Sequence, residues 1–200
     1  MRNLPQVGAG TNGDIDTITC TYPASAATST GLLQRVTYTN EGVSKTVSYT
    51  YNANGQVTAV NDWMGTSGGT HSFEYDDAGQ LVKYTDFDGA YQQYTYDNAG
   101  NLSTLRDYEG NTTTYGYDNL HRLVSLAAPG GKNWGFTYDP VGRLLTQTLP
   151  NGLSSQHDYD TLGRPASLQH KDGSTVVEGW NYSYDKNDNL RTIASARTGD

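Results

Sequence analysis

The sequence predicts an all-β chain: tandem β-hairpin repeats of about 21 residues that form a continuous, strongly curved antiparallel sheet. Three observations carry this expectation. Of 200 residues, 16 are Tyr and 23 are Gly, while only 17% are charged, a balance that suits strands and turns. Aromatic residues alternate with polar ones in short runs. The whole pattern recurs in phase along the chain.

The repeat is anchored by a Tyr followed by Asp or Asn: Tyr51-Asn52, Tyr75-Asp76, Tyr96-Asp97, Tyr117-Asp118, Tyr138-Asp139, Tyr159-Asp160 and Tyr184-Asp185, in steps of 24, 21, 21, 21, 21 and 25. Four residues after the Tyr stands Gly55, Gly79, Gly100, Gly142 or Gly163, and six after it Val57, Leu81, Leu102, Leu123, Leu144 or Leu190. Fourteen after it stands Gly65, Gly89, Gly110, Gly131, Gly152 or Gly173. A single Tyr-Asp-x-x-Gly means little, but seven copies in phase with a second Gly define an array. The array is read as one domain over 1–200, degenerate over 1–50 and regular over 51–196. In the degenerate part Ile18, Cys20 and Tyr22 alternate, Asn12-Gly13 and Gly42 occupy turn positions, and Pro23 opens an expanded turn before Gly31. The array is expected to begin and end within a repeat, without a cap.

Each element has a physical reason. The strand before the turn alternates: Trp134, Phe136 and Tyr138 share one face, as do Trp180, Tyr182 and Tyr184, with Thr137 and Ser183 on the other. That is a half-buried strand. In the turn, the Asp carboxylate accepts backbone N–H bonds two residues on, and Gly four residues after the Tyr supplies a positive φ. Two copies carry His121 and Asp188 there, residue types that tolerate the left-handed region. The second turn, as in Asp88-Gly89, Asn151-Gly152 and Asp172-Gly173, carries the strongest short hairpin signal. In the strand after the Tyr-Asp turn, apolar residues fall three apart, as in Leu102 and Leu105. Either both faces are partly covered or a bulge shifts the phase. Pro165 replaces Leu in one copy and should weaken a ladder bond. Roughly 14–16 strands follow, more than about 10, at which open sheets curl or split.

Composition excludes several functions. A net charge of −8 argues against nucleic acid, which is bound with Lys and Arg. No apolar run approaches the roughly 20 residues of a membrane helix, and no signal peptide is read at the start. Cys20, the one cysteine, cannot form an intramolecular disulfide and is expected to be a buried small residue. His71, His121, His157 and His170 each fall in a repeat column and are read as structural. Asp185, Asn187 and Asn189 match the first half of a calcium loop, but Leu190 stands where its Gly belongs, so a turn is favoured. Asp86 and Asp88 are read the same way. Asn101, Asn111 and Asn181 open glycosylation sequons, which matter only in a secreted eukaryotic chain. No catalytic, metal or cofactor residue is assigned, and no enzyme is expected.

The Tyr-[Asp/Asn]-x-x-Gly-[Asn/Gln/Arg]-[Leu/Val] copies, clearest over Tyr75 to Leu81, Tyr96 to Leu102 and Tyr138 to Leu144, resemble the YD repeats of Rhs proteins, cell-wall-associated bacterial toxins, insecticidal toxin-complex C components and teneurins. The resemblance covers about residues 12–196. It implies a sheet that spirals into a hollow shell, enclosing a C-terminal effector in the toxin members and serving as an extracellular scaffold in teneurins. It therefore implies a secreted or cell-surface location as part of a larger protein, and as partners a toxin effector or other shell segments. Self-association through exposed edge strands is a further expectation. Asp139-Pro140-Val141-Gly142 is similar to the family's self-cleavage motif but lies in register as an ordinary repeat turn. Against this structural reading stands a surface module binding carbohydrate or another ligand through aromatic cages, for which Trp63, Trp134 and Trp180 are too few to supply one per repeat.

Overall fold

The computed structural model describes residues 17–22, 31–62 and 69–196. The expected turn at Asn12-Gly13, the Pro23 segment, Trp63 and Gly65 lie outside them. The strands are β1 (Thr17–Thr21), β2 (Arg35–Asn40), β3 (Val43–Tyr51), β4 (Val57–Asp62), β5 (Gly69–Tyr75), β6 (Leu81–Thr85), β7 (Tyr91–Tyr96) and β8 (Leu102–Asp107). They continue as β9 (Thr112–Tyr117), β10 (Leu123–Ala128), β11 (Lys132–Tyr138), β12 (Leu144–Thr148), β13 (Leu153–Tyr159), β14 (Pro165–Asp172), β15 (Thr175–Tyr184) and β16 (Leu190–Ser195). They form one sixteen-stranded sheet whose order follows the sequence, an antiparallel meander with no helix among the described residues. By its contacts the chain divides into two units, Met1–Tyr94 with Asp107–Glu109, and Thr95–Arg106 with Gly110–Asp200.

The three-residue spacing of apolar side chains resolves as a bulge. In β11–β12, Tyr138 faces Leu144 but Thr137 faces Thr146, so Leu145 is an extra residue. The same shift occurs at Tyr51, Tyr75, Tyr159 and Tyr184, and β10 shifts between Leu123 and Ser125. One extra residue inverts the side-chain alternation. Tyr117 thus faces Leu123 and Tyr115 faces Leu126 on one side of the sheet, which explains why these leucines are three apart. Pro165 sits at this shift, opposite Tyr159.

The Tyr/Leu side is half-buried, and the opposite side is closed by hydroxyl pairs across the hairpin: Thr137–Thr146 at 2.6 Å, Ser183–Thr192 at 2.6 Å and Ser167 donating to Asp158 at 2.7 Å. Among the described residues Val36 is the only buried apolar side chain. A one-layer sheet has no second layer to exclude water, so the core is a stripe along one face and not an interior. Cys20 departs from expectation. It is half-buried, since β1 pairs with β2 alone among the described residues and Val36 opposite it covers one side only.

Candidate functional site

The feature that repeats with the most chemistry is the Tyr-Asp turn. Asp139 Oδ1 accepts from the Val141 N–H at 3.0 Å and the Arg143 N–H at 2.9 Å, while Oδ2 accepts from Arg143 Nε at 2.6 Å. The backbone closes beneath it: Gly142 N–H donates to Asp139 O at 3.0 Å, and Asp139 N–H to Arg143 O at 2.9 Å. Gly142 has φ 93, a left-handed value that glycine adopts without a Cβ penalty. Asp118 and Asp160 reproduce the arrangement with Arg122 and Arg164. Asn52 reproduces its backbone part with Asn54 and Gln56. The Asp139-Pro140-Val141-Gly142 segment is thus one more repeat turn, and Asp185, Asn187 and Asn189 form another: Asp185 Oδ1 accepts from both asparagine N–H groups at 2.8 and 2.9 Å.

These carboxylates are held in their charged form. Partial burial pushes the Asp139 carboxyl up, but the Arg143 N–H, the Arg143 guanidinium and the Val141 N–H outweigh it and hold the group below the usual carboxylate range. The same balance holds for Asp118 and Asp160. For Asp97 and Asp185 the side-chain amide of Asn101 or Asn189 is the leading cause of the lowering.

Two side chains then tie each turn to the next repeat. The motif Tyr donates its phenol proton backward: Tyr75 to Val57 O at 2.9 Å, Tyr138 to Leu123 O at 2.8 Å, Tyr159 to Leu144 O at 3.0 Å and Tyr184 to Pro165 O at 2.8 Å. Each acceptor lies just beyond the ladder with the following strand, which begins at Ala59, Ser125, Thr146 and Ser167. The phenol therefore reaches a carbonyl beyond the end of that ladder and gives it a hydrogen-bond donor. The residue five after the Tyr reaches forward. Gln56 donates to Gly79 O at 2.8 Å, Arg122 to Asp139 O at 3.0 Å and Arg164 to Asp188 Oδ1 at 2.6 Å. The Arg122, Arg143 and Arg164 guanidinium carbons also sit 4.8, 4.4 and 4.3 Å from the ring centres of Tyr138, Tyr159 and Tyr184, within cation–π range.

The two turns without Gly follow the same logic. His121 and Asp188 have φ 61 and 64, as their residue types predict. Each uses its side chain to meet the preceding repeat, His121 Nδ1 donating to Asn101 Oδ1 at 2.9 Å and Asp188 accepting from Arg164. Sequence reasoning placed these residues correctly but missed the bridge. The signal for it was present, since Arg122, Arg143 and Arg164 recur at the same 21-residue step.

The second turns at Asp88-Gly89 and Asn151-Gly152 differ from the two-residue hairpin that these pairs suggest, whereas Asp172 pairs with Thr175 around a two-residue loop. Gly89 N–H donates to Asp86 O and Gly152 N–H to Leu149 O, so these two turns copy the four-residue design of the Tyr-Asp turn. Asp86 Oδ1 accepts from Asp88 and Ala90 N–H. A two-residue turn also occurs at Glu41-Gly42, both at positive φ.

The remaining candidates are placed in strands. His71 Nδ1 lies 2.8 Å from Tyr84 Oη and Nε2 lies 3.3 Å from Asp62 Oδ2. The ring stacks on Tyr84 and meets the edge of Phe87. Phe87 folds over Gly69, where a Cβ would lie 2.1 Å from the Phe87 Cβ. An Asp-His-Tyr line can activate a phenol, yet burial, Asp86 and Asp62 all push the Tyr84 phenol up, which keeps it protonated. His170 stands within β14, just before the turn that follows Asp172. Its Nδ1 meets Ser155 Oγ at 2.9 Å and its ring meets the edge of Trp180. Ser155 is 7% exposed. Among the described residues no group of three His, Cys, Asp or Glu side chains could hold a metal ion, and no helix is long and apolar enough to cross a membrane.

The repeats have known counterparts. The RHS repeat family model matches residues 75–107, 96–132 and 138–175. No curated protein matches. Among solved structures, the crystal structure of TcdB2-TccC3 superimposes with a TM-score of 0.74 at 18% identity, over 92% of this chain and 11% of that one. The Photorhabdus luminescens Tc holotoxin pore gives 0.72 at 18% identity, over 92% and 10%. This chain therefore spans about a tenth of the length of the structures it matches, and at this identity the likeness is one of fold. Periodicity, turn geometry and the family match agree over residues 75–132 and 138–175, which are RHS, or YD, repeats.

Proposed function

We propose that this array is a non-catalytic wall segment of an encapsulating shell, part of a larger secreted toxin-complex protein, with residues 1–200 forming one run of repeats. The observation that carries the reading is the two-way tie between neighbouring repeats. The phenol binds backward, the side chain five residues on binds forward, and the turn carboxylates are spent holding the turn. Such residues build a scaffold, with the turn acids and phenols engaged in holding the repeats together. A surface for other shell segments is consistent with Leu120, Val141 and Leu162. These turn-tip residues of three consecutive repeats are 65%, 76% and 72% exposed, an apolar row of the kind that marks contact surfaces.

The test is protease protection of the polypeptide that carries this array in its natural context. A shell shields one internal segment while the denatured protein loses it at once. Equal cleavage of that segment in the folded and denatured states overturns the reading. Titration with choline or cell-wall sugars, followed by the fluorescence of Trp134 and Trp180, distinguishes a surface-binding module by a saturable change.

A further inference from the structure

The repeat that begins at Tyr159 departs from its neighbours in two columns at once. Two residues before the motif Tyr, other repeats carry Tyr49, Phe73, Tyr94, Tyr115, Phe136 and Tyr182; here the residue is His157. Six residues after it, others carry Val57, Leu81, Leu102, Leu123, Leu144 and Leu190; here it is Pro165. Both changes shorten an apolar side chain, and register brings them together. His157 faces Leu168 and Tyr159 faces Pro165, on either side of the Asp158–Ser167 pair in the same hairpin. A hollow of about 380 Å³ lies there, walled by Tyr159, Tyr182 and Tyr184, with Pro165, Leu168 and Leu190 completing the apolar lining.

The wall of the hollow carries two free polar groups among the described residues, the His157 imidazole and the Tyr182 phenol. The Tyr159 and Tyr184 rings are fixed by their bonds to Leu144 O and Pro165 O. Asp158 and Ser167, also at its lining, are bonded to each other. Among the described residues the His157 imidazole has no hydrogen-bond partner. An apolar cavity of roughly 150 Å³ accepts benzene, so this one has room for a substituted ring. A pyranose would bring more hydroxyls than these two groups can satisfy, and an unpaired hydroxyl against an apolar lining is unfavourable.

We infer that this hollow is a binding site for a small phenolic compound, its ring against Tyr159, Tyr182 and Pro165 and its hydroxyl on His157. The inference is independent of the wall reading, because a wall repeat needs no hollow.

The test is an NMR titration of the intact chain with p-cresol, following the His157 ring protons, with toluene and methyl β-glucoside as controls. The expected result is a saturable shift with a Kd of about 1 mM or tighter, and weaker binding of both controls. In H157F/P165L, which installs the residues of the Tyr138 repeat, p-cresol binding is expected to fall at least about tenfold while the melting temperature holds or rises. No saturable response in the unmodified chain, binding retained in the filled variant, or a control that binds as tightly as p-cresol overturns the inference.

Discussion

The repeat that begins at Tyr51, in the first unit, and the repeats that begin at Tyr117, Tyr138 and Tyr159, in the second, share one turn and differ in one residue. In both, an Asp or Asn side-chain oxygen takes the N–H groups two and four residues on, and a left-handed residue closes the loop. Five residues after the Tyr, however, the first unit uses Gln56 and Gln80, and the second uses Arg122, Arg143 and Arg164 in these three repeats and Asn101 and Asn189 in its other two. Gln56 makes a neutral bond to the next turn. Each Arg makes an ion pair with its own Asp and lies over the Tyr ring of the next repeat. The difference separates what the turn requires from what varies: the turn fixes the Asx residue and the positive φ, while the bridge accepts any side chain long enough to reach.

The largest effect should fall on the shared part. Gly142→Val and Gly55→Val each force a β-branched residue to a φ of 93 or 79, at about 1–2 kcal/mol or more. Thermal melts should show equal losses for the two, of about 2–4 °C per kcal/mol in a chain of this size. Gly142→Asn should lose clearly less. A cost confined to one unit would break the claim that the turn is common.

Next comes the phenol bond. Tyr138→Phe keeps the ring and removes the donor to Leu123 O, a net loss of about 0.5–1.5 kcal/mol, and Tyr75→Phe should match it. The variable bridge is weaker. Arg143→Gln imitates the first unit and should cost about 0.5–1 kcal/mol, since the pair is partly exposed. Raised salt should narrow that gap, and no salt dependence would exclude the ionic contribution.

The smallest effect should be pH dependence. Asp97, Asp118, Asp139, Asp160 and Asp185 are held low in the folded chain. Their contribution is therefore complete above the unfolded carboxylate pKa of about 4 and is lost as pH falls through the folded values. Melting temperature should be flat from neutrality to about pH 5 and fall below it. A fall already under way near pH 6 would point to histidine instead.

Most of the fold was legible because it is periodic. The alternation of Trp134, Phe136 and Tyr138 fixed a strand face, and the left-handed turn position predicted His121 and Asp188 without any coordinates. The three-residue spacing of the leucines left two readings open, which only the pairing of Tyr138 with Leu144 and Thr137 with Thr146 could separate. What stayed hidden depends on vectors between repeats: the target of each phenol, the reach of Arg143, and the alignment of Asp62, His71 and Tyr84, which no spacing announces. The departures at His157 and Pro165 were visible one by one. Their adjacency was not, because the bulge decides which residue Tyr159 faces.

The central claim is that each repeat is held by its immediate neighbours through the motif Tyr. Native-state hydrogen exchange of Tyr159→Phe against the parent chain tests it most directly. The account predicts lost protection in β12 and β13, on the two sides of the missing bond to Leu144 O, with β2 and β3 unchanged. Protection lost evenly along the whole array, or lost in β13 alone, would contradict it.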